Sequence, residues 1–528
     1  MHRRSFMAGT AGLAAAPFAP AIAQPARAAT LRFVPQANLT ALDPIWTTAI
    51  VTQMHGYHVC DTLYALDSNL RPQPQMAQGH EVTPDGRTWK ITLRESLRFH
   101  DGEPVRARDC TASLSRWAKR DPFGQILAAV VDDWGAPSDR VIEIKLKRPF
   151  PLMLDALAKP DANVPFIMPE RLARTDANTQ VSEVVGSGPY RFVPGEFVSG
   201  SRVVYVKNDA YVPRGEPASG AAGGKVANFP RIEWHILPDP ATAAAALQAG
   251  EVDWLEQPLS DLIPTLQRNR NIEIGVLNEP GIMSIMRLNH LQAPFNNPKV
   301  RQAVALAVDQ DEYMRATLGD DRSVWRQCRS LFPCGTPLGT EDLSELNAPP
   351  RSLDRARAAL AASGYNNEKV VIINPTDFPL IGPHGQITAD RLRRIGFNVE
   401  LAETDWGTVV QRRVRTEPTD RGGWSIFHTF GSSLAYLNPA VSSLVKGPGA
   451  VGWFGWYDSP RAQELVQAWL DSTDAAQQLR LANELNKLAQ DDVATIPLGQ
   501  FQIRNAWRRS ITGLLKGSMP YPWGVRPA

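Results

Sequence analysis

The sequence lacks both a long hydrophobic run and a strong excess of charge of one sign. No apolar stretch among its 528 residues approaches the roughly 20 residues that a helix needs to cross a bilayer. Lysine and arginine total 56 against 54 aspartates and glutamates, so the formal net charge is only +2. We therefore predict that the chain is not an integral membrane protein and, without a strong electrostatic field, has no nucleic-acid partner.

Recognisable catalytic motifs are also missing. The sequence contains no Gly-x-Ser-x-Gly elbow and no His-Glu-x-x-His pair. The stretch from Ser443 to Lys446 matches Ser-x-x-Lys, but the companion motifs Ser-Asp-Asn and Lys-Thr-Gly are absent. His55 and His58 lack further ligands at metal-site spacing. The sequence therefore favours a binding protein without cofactor or metal, and a secreted hydrolase is the less favoured alternative.

Residues 1–29 differ in kind from the rest of the chain. Arg3 and Arg4, followed by Phe6, precede an Ala/Gly-rich stretch that ends in the small-residue sites Ala21–Ala23 and Ala26–Ala28. This order is typical of an export signal that is removed from the mature protein. The paired arginines resemble a twin-arginine (Tat) signal, and an ordinary secretory signal that holds two arginines also fits. Either interpretation predicts an exported protein.

Only four cysteines are present, and export to an oxidising compartment would allow them to pair. Cys328 and Cys334 lie six positions apart in a segment that also contains Pro333, and they are predicted to form a disulfide. Cys60 and Cys110 have apolar neighbours, which favours buried thiols over a second bridge.

The remaining sequence alternates short strand patterns with helices and shows no fixed internal repeat. Residues 89–93, 141–146 and 203–206 alternate apolar and polar side chains, as half-buried strands do. Helices are predicted over 241–249, where Gly250 follows, and from Pro298, where Asn297 can cap the first turn. This mixture predicts an α/β architecture, and the length requires at least two cores.

Several separated motifs resemble the family 5 extracellular solute-binding proteins, which include the dipeptide, oligopeptide and nickel-chelate receptors of ABC importers. They keep the family's order along the chain and run from about residue 42 to residue 497. The matching segments are Leu42–Pro44, Asp61–Tyr64, Pro84–Trp89, Phe99–Val105, Gly186–Tyr190, Asn208–Tyr211, Leu247–Asp253 and Val300–Ala303 with Val308 and Asp309.

The resemblance implies a two-lobed periplasmic-binding-protein-like fold with an enlarged first lobe and a ligand cleft between the lobes. The expected divisions are 30–285 for the first lobe, 286–494 for the second and 495–528 for a return to the first, with hinge strands near Ile285 and Ile496. It also implies a periplasmic monomer that captures a peptide and delivers it to ABC permease subunits in the inner membrane.

The region from Glu403 to Pro439 resembles the segment of oligopeptide receptors that lies along the bound peptide. Trp406, with Arg413 seven positions later, matches its tryptophan and basic residue. Core packing would explain the tryptophans equally well, and a solvated basic face with Arg412 and Arg415 would explain Arg413. The predicted ligand contacts are Asp43, Trp406, Arg413, Trp424, His428, Phe430, Ser432 and Tyr436.

One departure from the family pattern concerns the ligand's amino group. Peptide receptors of this family usually carry an aspartate soon after the second peptide-lining strand, yet residues 431–439 contain no acid. Asp405, Glu403 or Asp43 would have to replace it. Otherwise the ligand is a blocked or modified peptide, or a non-peptide solute such as an opine, a sugar or a nickel chelate. A chemosensory co-receptor with the same fold is a further alternative.

Overall fold

The computed structural model describes residues 30–347, 352–472 and 474–528. The predicted export signal over 1–29 lies outside the described residues. In the described part of the chain, no helix is both long and apolar enough to span a membrane. Strands and helices are mixed along the chain, as the α/β prediction expects. The helices are Ile50–Val59, Ala107–Trp117, Pro122–Val130, Met153–Leu157, Glu170–Ala173, Pro240–Ala249, Ile263–Gln267, Pro298–Ala307, Gln310–Leu318, Leu353–Ala361, Gly382–Ile395, Trp406–Arg412, Pro460–Asp471 and Ala475–Asp491.

Two large sheets organise the chain. The first has seven strands, in the spatial order Tyr190–Phe192, Arg202–Lys207, Arg231–His235, Thr30–Val34, Trp254–Leu255, Arg504–Arg508 and Ile272–Val276. The second has six strands, in the order Trp325–Arg326, Ile496–Phe501, Ile282–Leu288, Ile426–Ser432, Lys369–Pro375 and Asn398–Thr404. The chain passes between these sheets over residues 277–281 and again over 502–503.

Smaller sheets accompany the two large ones, most of them in the first part of the chain. A four-stranded sheet is formed by Ala77–Val82, Thr88–Leu93, Val141–Leu146 and Val131–Ser138. The remaining strands form three pairs, which are Asp61–Thr62 with Phe166–Ile167, Tyr64–Leu66 with Pro72–Pro74, and Ile511–Thr512 with Arg526–Pro527. The four-stranded sheet contains two of the strands predicted from alternation, because their inward side chains cover a buried apolar cluster.

Local sequence signals explain where several helices begin and end. Asn297 accepts a hydrogen bond from the Lys299 backbone N–H at 3.0 Å, and Pro298 occupies the first helical position. Gly250 adopts the left-handed conformation (φ 77°) that ends the helix Pro240–Ala249. Both predicted helices are therefore confirmed at their signalled ends.

The strands Ile282–Leu288 and Ile496–Phe501 lie side by side in the six-stranded sheet, with a register shift between Ser284 and Ile285. The predicted hinge positions fall in these two strands. Because Ile496–Phe501 still belongs to the second sheet, the C-terminal segment rejoins the first sheet only with Arg504–Arg508. The lobe boundaries at 285 and 494 remain predictions.

All four cysteines lie in the described residues. Cys328 and Cys334 form a disulfide whose Cα atoms are 5.8 Å apart. Cys60 and Cys110 are buried and free, and they belong to two different apolar clusters of the interior.

Candidate ligand-binding site

The carboxyl ends of parallel strands from both sheets face a common cleft. In the six-stranded sheet, Lys369–Pro375 pairs in parallel with both Asn398–Thr404 and Ile426–Ser432. In the seven-stranded sheet, Thr30–Val34 pairs in parallel with both Arg231–His235 and Trp254–Leu255. Open α/β sheets bind ligands beyond the carboxyl ends of such strands, because the connecting loops there leave a crevice.

A cavity lies in this cleft, and the space between its lining atoms totals about 600 Å³, part of it open to solvent. Its lining comes from the end of the strand Ile426–Ser432, from loops of both large sheets, from the loop that contains Asp161 and from the start of the helix Ile50–Val59. The lining residues are Gln36, Thr48, Ala49, Ile50, Gln53, Asp161, Ala162, Phe378, Ile381, Trp406, Arg413, Thr429, Phe430, Gly431, Ser432, Ala435, Tyr436, Ser443 and Trp453. Five of the eight predicted ligand contacts are among them: Trp406, Arg413, Phe430, Ser432 and Tyr436.

A second pocket adjoins this cavity and shares Gln36 and Phe378 with it. It encloses about 1090 Å³, again partly open to solvent. Its walls are the segments that follow three parallel strands of the seven-stranded sheet, together with residues 377–380 and Asp405. The cleft therefore has room to extend beyond the first cavity, along the edge of the first sheet.

Arg413 carries an unusual buried charge. Its side chain is 1% exposed, and among the described residues no carboxylate lies within ion-pairing distance. One guanidinium nitrogen contacts the hydroxyls of Thr47 and Thr48 at 3.4 and 3.3 Å, while Nε has no hydrogen-bond partner in the described chain. Burial lowers the pKa of Arg413 to about 10. Burying a cation without an anion costs free energy in the unliganded protein. Such a cation is suited to bind an anionic group of a ligand.

Aromatic rings enclose the guanidinium and form one wall of the cavity. Arg413 lies 5.6 Å from the ring centre of Trp406 and 5.0 Å from that of Phe454. Trp406 meets Phe378 edge to face at 5.2 Å, and Phe378 meets Phe430 in the same way at 5.5 Å. These rings supply cation–π contacts to the arginine and an apolar surface for a ligand.

Asp161 brings a carboxylate into the same cavity. It lies in the loop between the helix Met153–Leu157 and the strand Phe166–Ile167. The side chain is 2% exposed, and Oδ2 has no hydrogen-bond partner among the described residues. Burial raises the pKa of the Asp161 carboxyl to about 6, although the nearby hydroxyl of Ser432, the charge of Lys159 and the hydroxyl of Ser518 partly oppose this. The cavity therefore contains one cation and one acid.

Similarity to known proteins decides the family. The model of the bacterial extracellular solute-binding proteins, family 5 (middle), matches residues 71–447. The chain belongs to this family. A curated relative, the "Probable peptide ABC transporter periplasmic-binding protein y4tO" of Sinorhizobium fredii, is 37% identical over 493 residues, covering 93% of this chain and 92% of the relative.

Solved structures of other binding proteins share the two-lobed fold of this family 5 chain. The periplasmic binding protein AgaA of A. tumefaciens, in complex with agropinic acid, matches with a TM-score of 0.78 at 20% identity, covering 94% of this chain and 99% of that one. A dipeptide-binding protein of a Pseudoalteromonas species, in complex with Met-Leu, matches with a TM-score of 0.76 at 20% identity, covering 94% and 100%. Family membership implies a binding role.

Three predicted ligand contacts lie outside the cavity of this family 5 protein. Trp424 is fully buried, donates its indole N–H to the Arg413 carbonyl oxygen at 3.1 Å, and stacks near Trp456. His428 is fully buried and its Nε2 lies 2.8 Å from the Thr388 hydroxyl. Both residues are buried before the carboxyl end of the strand Ile426–Ser432, away from the cavity, and their role as ligand contacts stays a prediction.

Asp43 is the third such residue, and its carboxylate is already satisfied. It forms a buried ion pair with Arg116 at 2.7 Å. It also accepts hydrogen bonds from the backbone N–H groups of Ile45, Trp46 and Val181. Asp43 therefore fixes the loop before the first helix and has no free oxygen to offer a ligand.

The sequence named neither Asp161 nor Gln53 as a site residue. Both come from the first half of the chain, whereas the resemblance directed attention to residues 403–439. No periodicity or motif marks Asp161, whose only local signal is an aspartate after Pro160. Of the proposed substitutes, Asp405 lines the adjoining pocket and caps a helix by accepting from the Thr408 N–H at 2.9 Å, and Glu403 lines neither cavity.

The paired histidines occupy an aromatic core. His55 and His58 are buried near Tyr205, and burial lowers the pKa of His55 to about 3 and that of His58 to about 4. Nδ1 of His58 is bonded to the Met54 carbonyl oxygen at 2.8 Å. Across the described residues, no cluster of three or more His, Cys, Asp or Glu side chains is arranged to hold a metal ion.

Proposed function

We propose that this protein is the periplasmic substrate-binding component of an ABC importer and that it captures peptides. The observation that carries the proposal is Arg413, a guanidinium that is buried at the cleft between the sheets and has no anionic partner among the described residues. A peptide carboxylate would supply that anion. Family membership and the peptide-transporter name of the Sinorhizobium fredii relative support this choice of ligand.

The cavity suggests how a peptide is held. Its carboxylate accepts hydrogen bonds from the Arg413 guanidinium, and its side chains lie against Phe378, Trp406 and Phe430. The adjoining pocket receives longer side chains or further residues. Because residues from both sheets line the cavity, ligand contacts are complete only when the lobes are together, so binding favours the closed form.

Export and delivery complete the proposed cycle. Residues 1–29 direct the chain across the inner membrane, through the twin-arginine route if Arg3 and Arg4 are read as such, and are then removed. The mature chain, with lobes divided near residues 285 and 494, works as a monomer and docks in its closed form to the permease. It performs no catalysis.

A thermal-shift screen of the purified protein tests this function, because a ligand that binds only the folded state raises Tm. The panel contains dipeptides, tripeptides, amino-blocked peptides, opine-like conjugates, oligosaccharides and nickel chelates. We expect the largest shifts with peptides and micromolar dissociation constants in follow-up calorimetry. Shifts confined to sugars or nickel chelates, or peptide hydrolysis during incubation, would overturn the proposal.

Transport itself is tested in the organism that carries the gene. Deletion of the gene should abolish uptake of the radiolabelled peptide that gave the largest shift, and a plasmid copy should restore it. Unchanged uptake together with a lost chemotactic response to the same peptide would instead identify a chemosensory co-receptor.

A further inference from the structure

We propose that the Asp161 carboxylate binds the free amino group of the ligand, so that the protein selects peptides with an unblocked amino terminus. The inference rests on the proposed function and assigns a contact for the amino end of the ligand, whose carboxylate is proposed to bind Arg413. The usual acid after the second peptide-lining strand is missing over residues 431–439. Asp161 would replace it from the other half of the molecule.

Several buried carboxylates in the described chain have basic partners, whereas Asp161 has none within ion-pairing distance. Asp43 pairs with Arg116 at 2.7 Å, Asp61 with Lys225 at 2.7 Å, and Asp253 with Arg32 at 2.8 Å. Lys159, the nearest cation to Asp161 in sequence, is itself buried in an ion pair with Asp121. Because burying a carboxylate without a cation is costly, a ligand cation that reaches the free Oδ2 of Asp161 would be stabilised there.

The backbone at this position is also held in an unfavourable shape. Ala162, which lines the cavity beside Asp161, has φ 60°. A non-glycine residue in the left-handed region costs about 1 to 2 kcal/mol, and such strain is found where a side chain has to be presented in one direction. The loop thus holds Asp161 in the cavity at the expense of local stability.

Three buried polar atoms without a partner in the described chain belong to residues that line this one cavity. They are Oδ2 of Asp161, Oε1 of Gln53 and Nε of Arg413. The first two only accept hydrogen bonds and the third only donates. An ammonium group supplies donors for Asp161 and Gln53, while a carboxylate accepts from Arg413. The set therefore fits a zwitterion with both ends free, as in an unmodified peptide.

The two acids of the adjoining pocket are less suited to this role. Asp405 accepts from the Thr408 N–H at 2.9 Å, and Asp377 accepts from the Trp406 N–H at 2.7 Å. Both carboxylates are thus engaged by the helix that begins at Trp406. If one of them nevertheless holds the amino group, replacing Asp161 will leave binding unchanged, and the inference will fail.

The experiment compares Asp161→Asn with wild type, using calorimetry with a dipeptide, its N-acetyl form and its C-terminal amide. Asp155→Asn, an exposed aspartate six positions earlier, is the matched control. We expect Asp161→Asn to weaken binding of the free dipeptide by about 30-fold or more. The N-acetyl form should already bind wild type weakly and should be affected little by the substitution.

The outcomes separate this inference from the proposed function. If wild type binds the free dipeptide and Asp161→Asn binds it equally well, the inference is wrong while the peptide function stands. If wild type binds no peptide at all, the proposed function fails. A preference of wild type for the N-acetyl form over the free dipeptide would also overturn the inference, since it would mean that the site excludes an amino group.

A pH series with wild type gives a second test that needs no variant. Deprotonated Asp161 is the form that attracts an ammonium group, and its pKa is raised to about 6, so free-dipeptide affinity should fall between pH 7 and pH 5. The groups that face it are Lys159, which is paired with Asp121, and the phenols of Tyr57, Tyr436 and Tyr521, whose pKa values are raised by burial. These phenols therefore stay neutral in this range. Equal pH dependence for the N-acetyl dipeptide would contradict the assignment.

Discussion

Replacing Arg413 by methionine should leave the unliganded protein as stable as wild type or more stable. Burial lowers the pKa of this guanidinium from 12.5 to about 10, which corresponds to a cost of about 3 kcal/mol for its charged form. Methionine has no such cost and fills a similar volume. The lost contacts with Thr47, Thr48 and the surrounding rings are worth about 2 kcal/mol together. We expect the free energy of unfolding to change by between 0 and about +2 kcal/mol.

Ligand binding should respond in the opposite direction. When a peptide carboxylate loses its buried guanidinium partner, the binding free energy weakens by about 2 kcal/mol or more, which raises Kd about 30-fold. Calorimetry with a dipeptide and with its C-terminal amide separates this effect from a general loss of the site, because only the free acid should be weakened. Urea unfolding of the unliganded variant measures the change in the free energy of unfolding.

Arg415→Met is the matched control, since Arg415 is exposed and lies two residues further along the chain. It should change neither stability nor affinity. The reasoning is refuted if Arg413→Met lowers the free energy of unfolding by more than about 2 kcal/mol and leaves the ratio of acid to amide affinity unchanged. Arg413 would then be a structural residue of the second lobe.

Three further predictions concern closure, the disulfide and acid stability. A Cβ at Gly407 would lie 2.4 Å from Cγ2 of Thr40. Gly407→Ala should therefore hinder closure and weaken the binding of every ligand about 10-fold, as measured by calorimetry. Gly79→Ala, where nothing lies within 4 Å of the added Cβ, should leave binding unchanged. Reducing the Cys328–Cys334 disulfide should cost about 2 kcal/mol of unfolding free energy, and an unchanged urea midpoint would contradict this. The free energy of unfolding, measured by urea titration, should fall as the pH is lowered from 6.5 to 4, because fully buried histidines have pKa values below those of the unfolded chain. Glu256, whose pKa is raised to about 8, has the opposite effect on stability. These histidines are His55, His58, His384 and His428.

Local signals were sufficient for individual elements of the fold. Alternation predicted the strand Val141–Leu146 with its observed bounds, because one face of its sheet is buried and the other is solvated. Capping residues predicted the ends of helices, because a cap depends only on residues next to the helix end. No local pattern predicts which strands pair with each other. The place of Ile496–Phe501 in the second sheet depends on such pairing.

The candidate site was predictable only where resemblance supplied the positions. Trp406 and Arg413 frame the helix Trp406–Arg412 directly after the strand Asn398–Thr404, so both reach the carboxyl edge of the sheet. Trp424 and His428 come from the same segment, but they precede that edge and are enclosed by the sheet. One segment therefore contains residues that line the cavity and residues that do not, because position along a strand decides which side chains reach the cleft.

Asp161 is a cavity residue that the sequence did not predict. It also suggests why the cleft closes on its ligand. Its loop meets the second sheet only in the folded chain, so no sequence pattern links it to Arg413 or to Ser432. In the unliganded closed form, each of the three polar atoms that lack a partner among the described residues costs about 1 to 3 kcal/mol, and opening would return them to water. A zwitterionic ligand supplies all three partners at once. Closure should then be unfavourable without ligand and favourable with it, which is the differential affinity that a population shift requires.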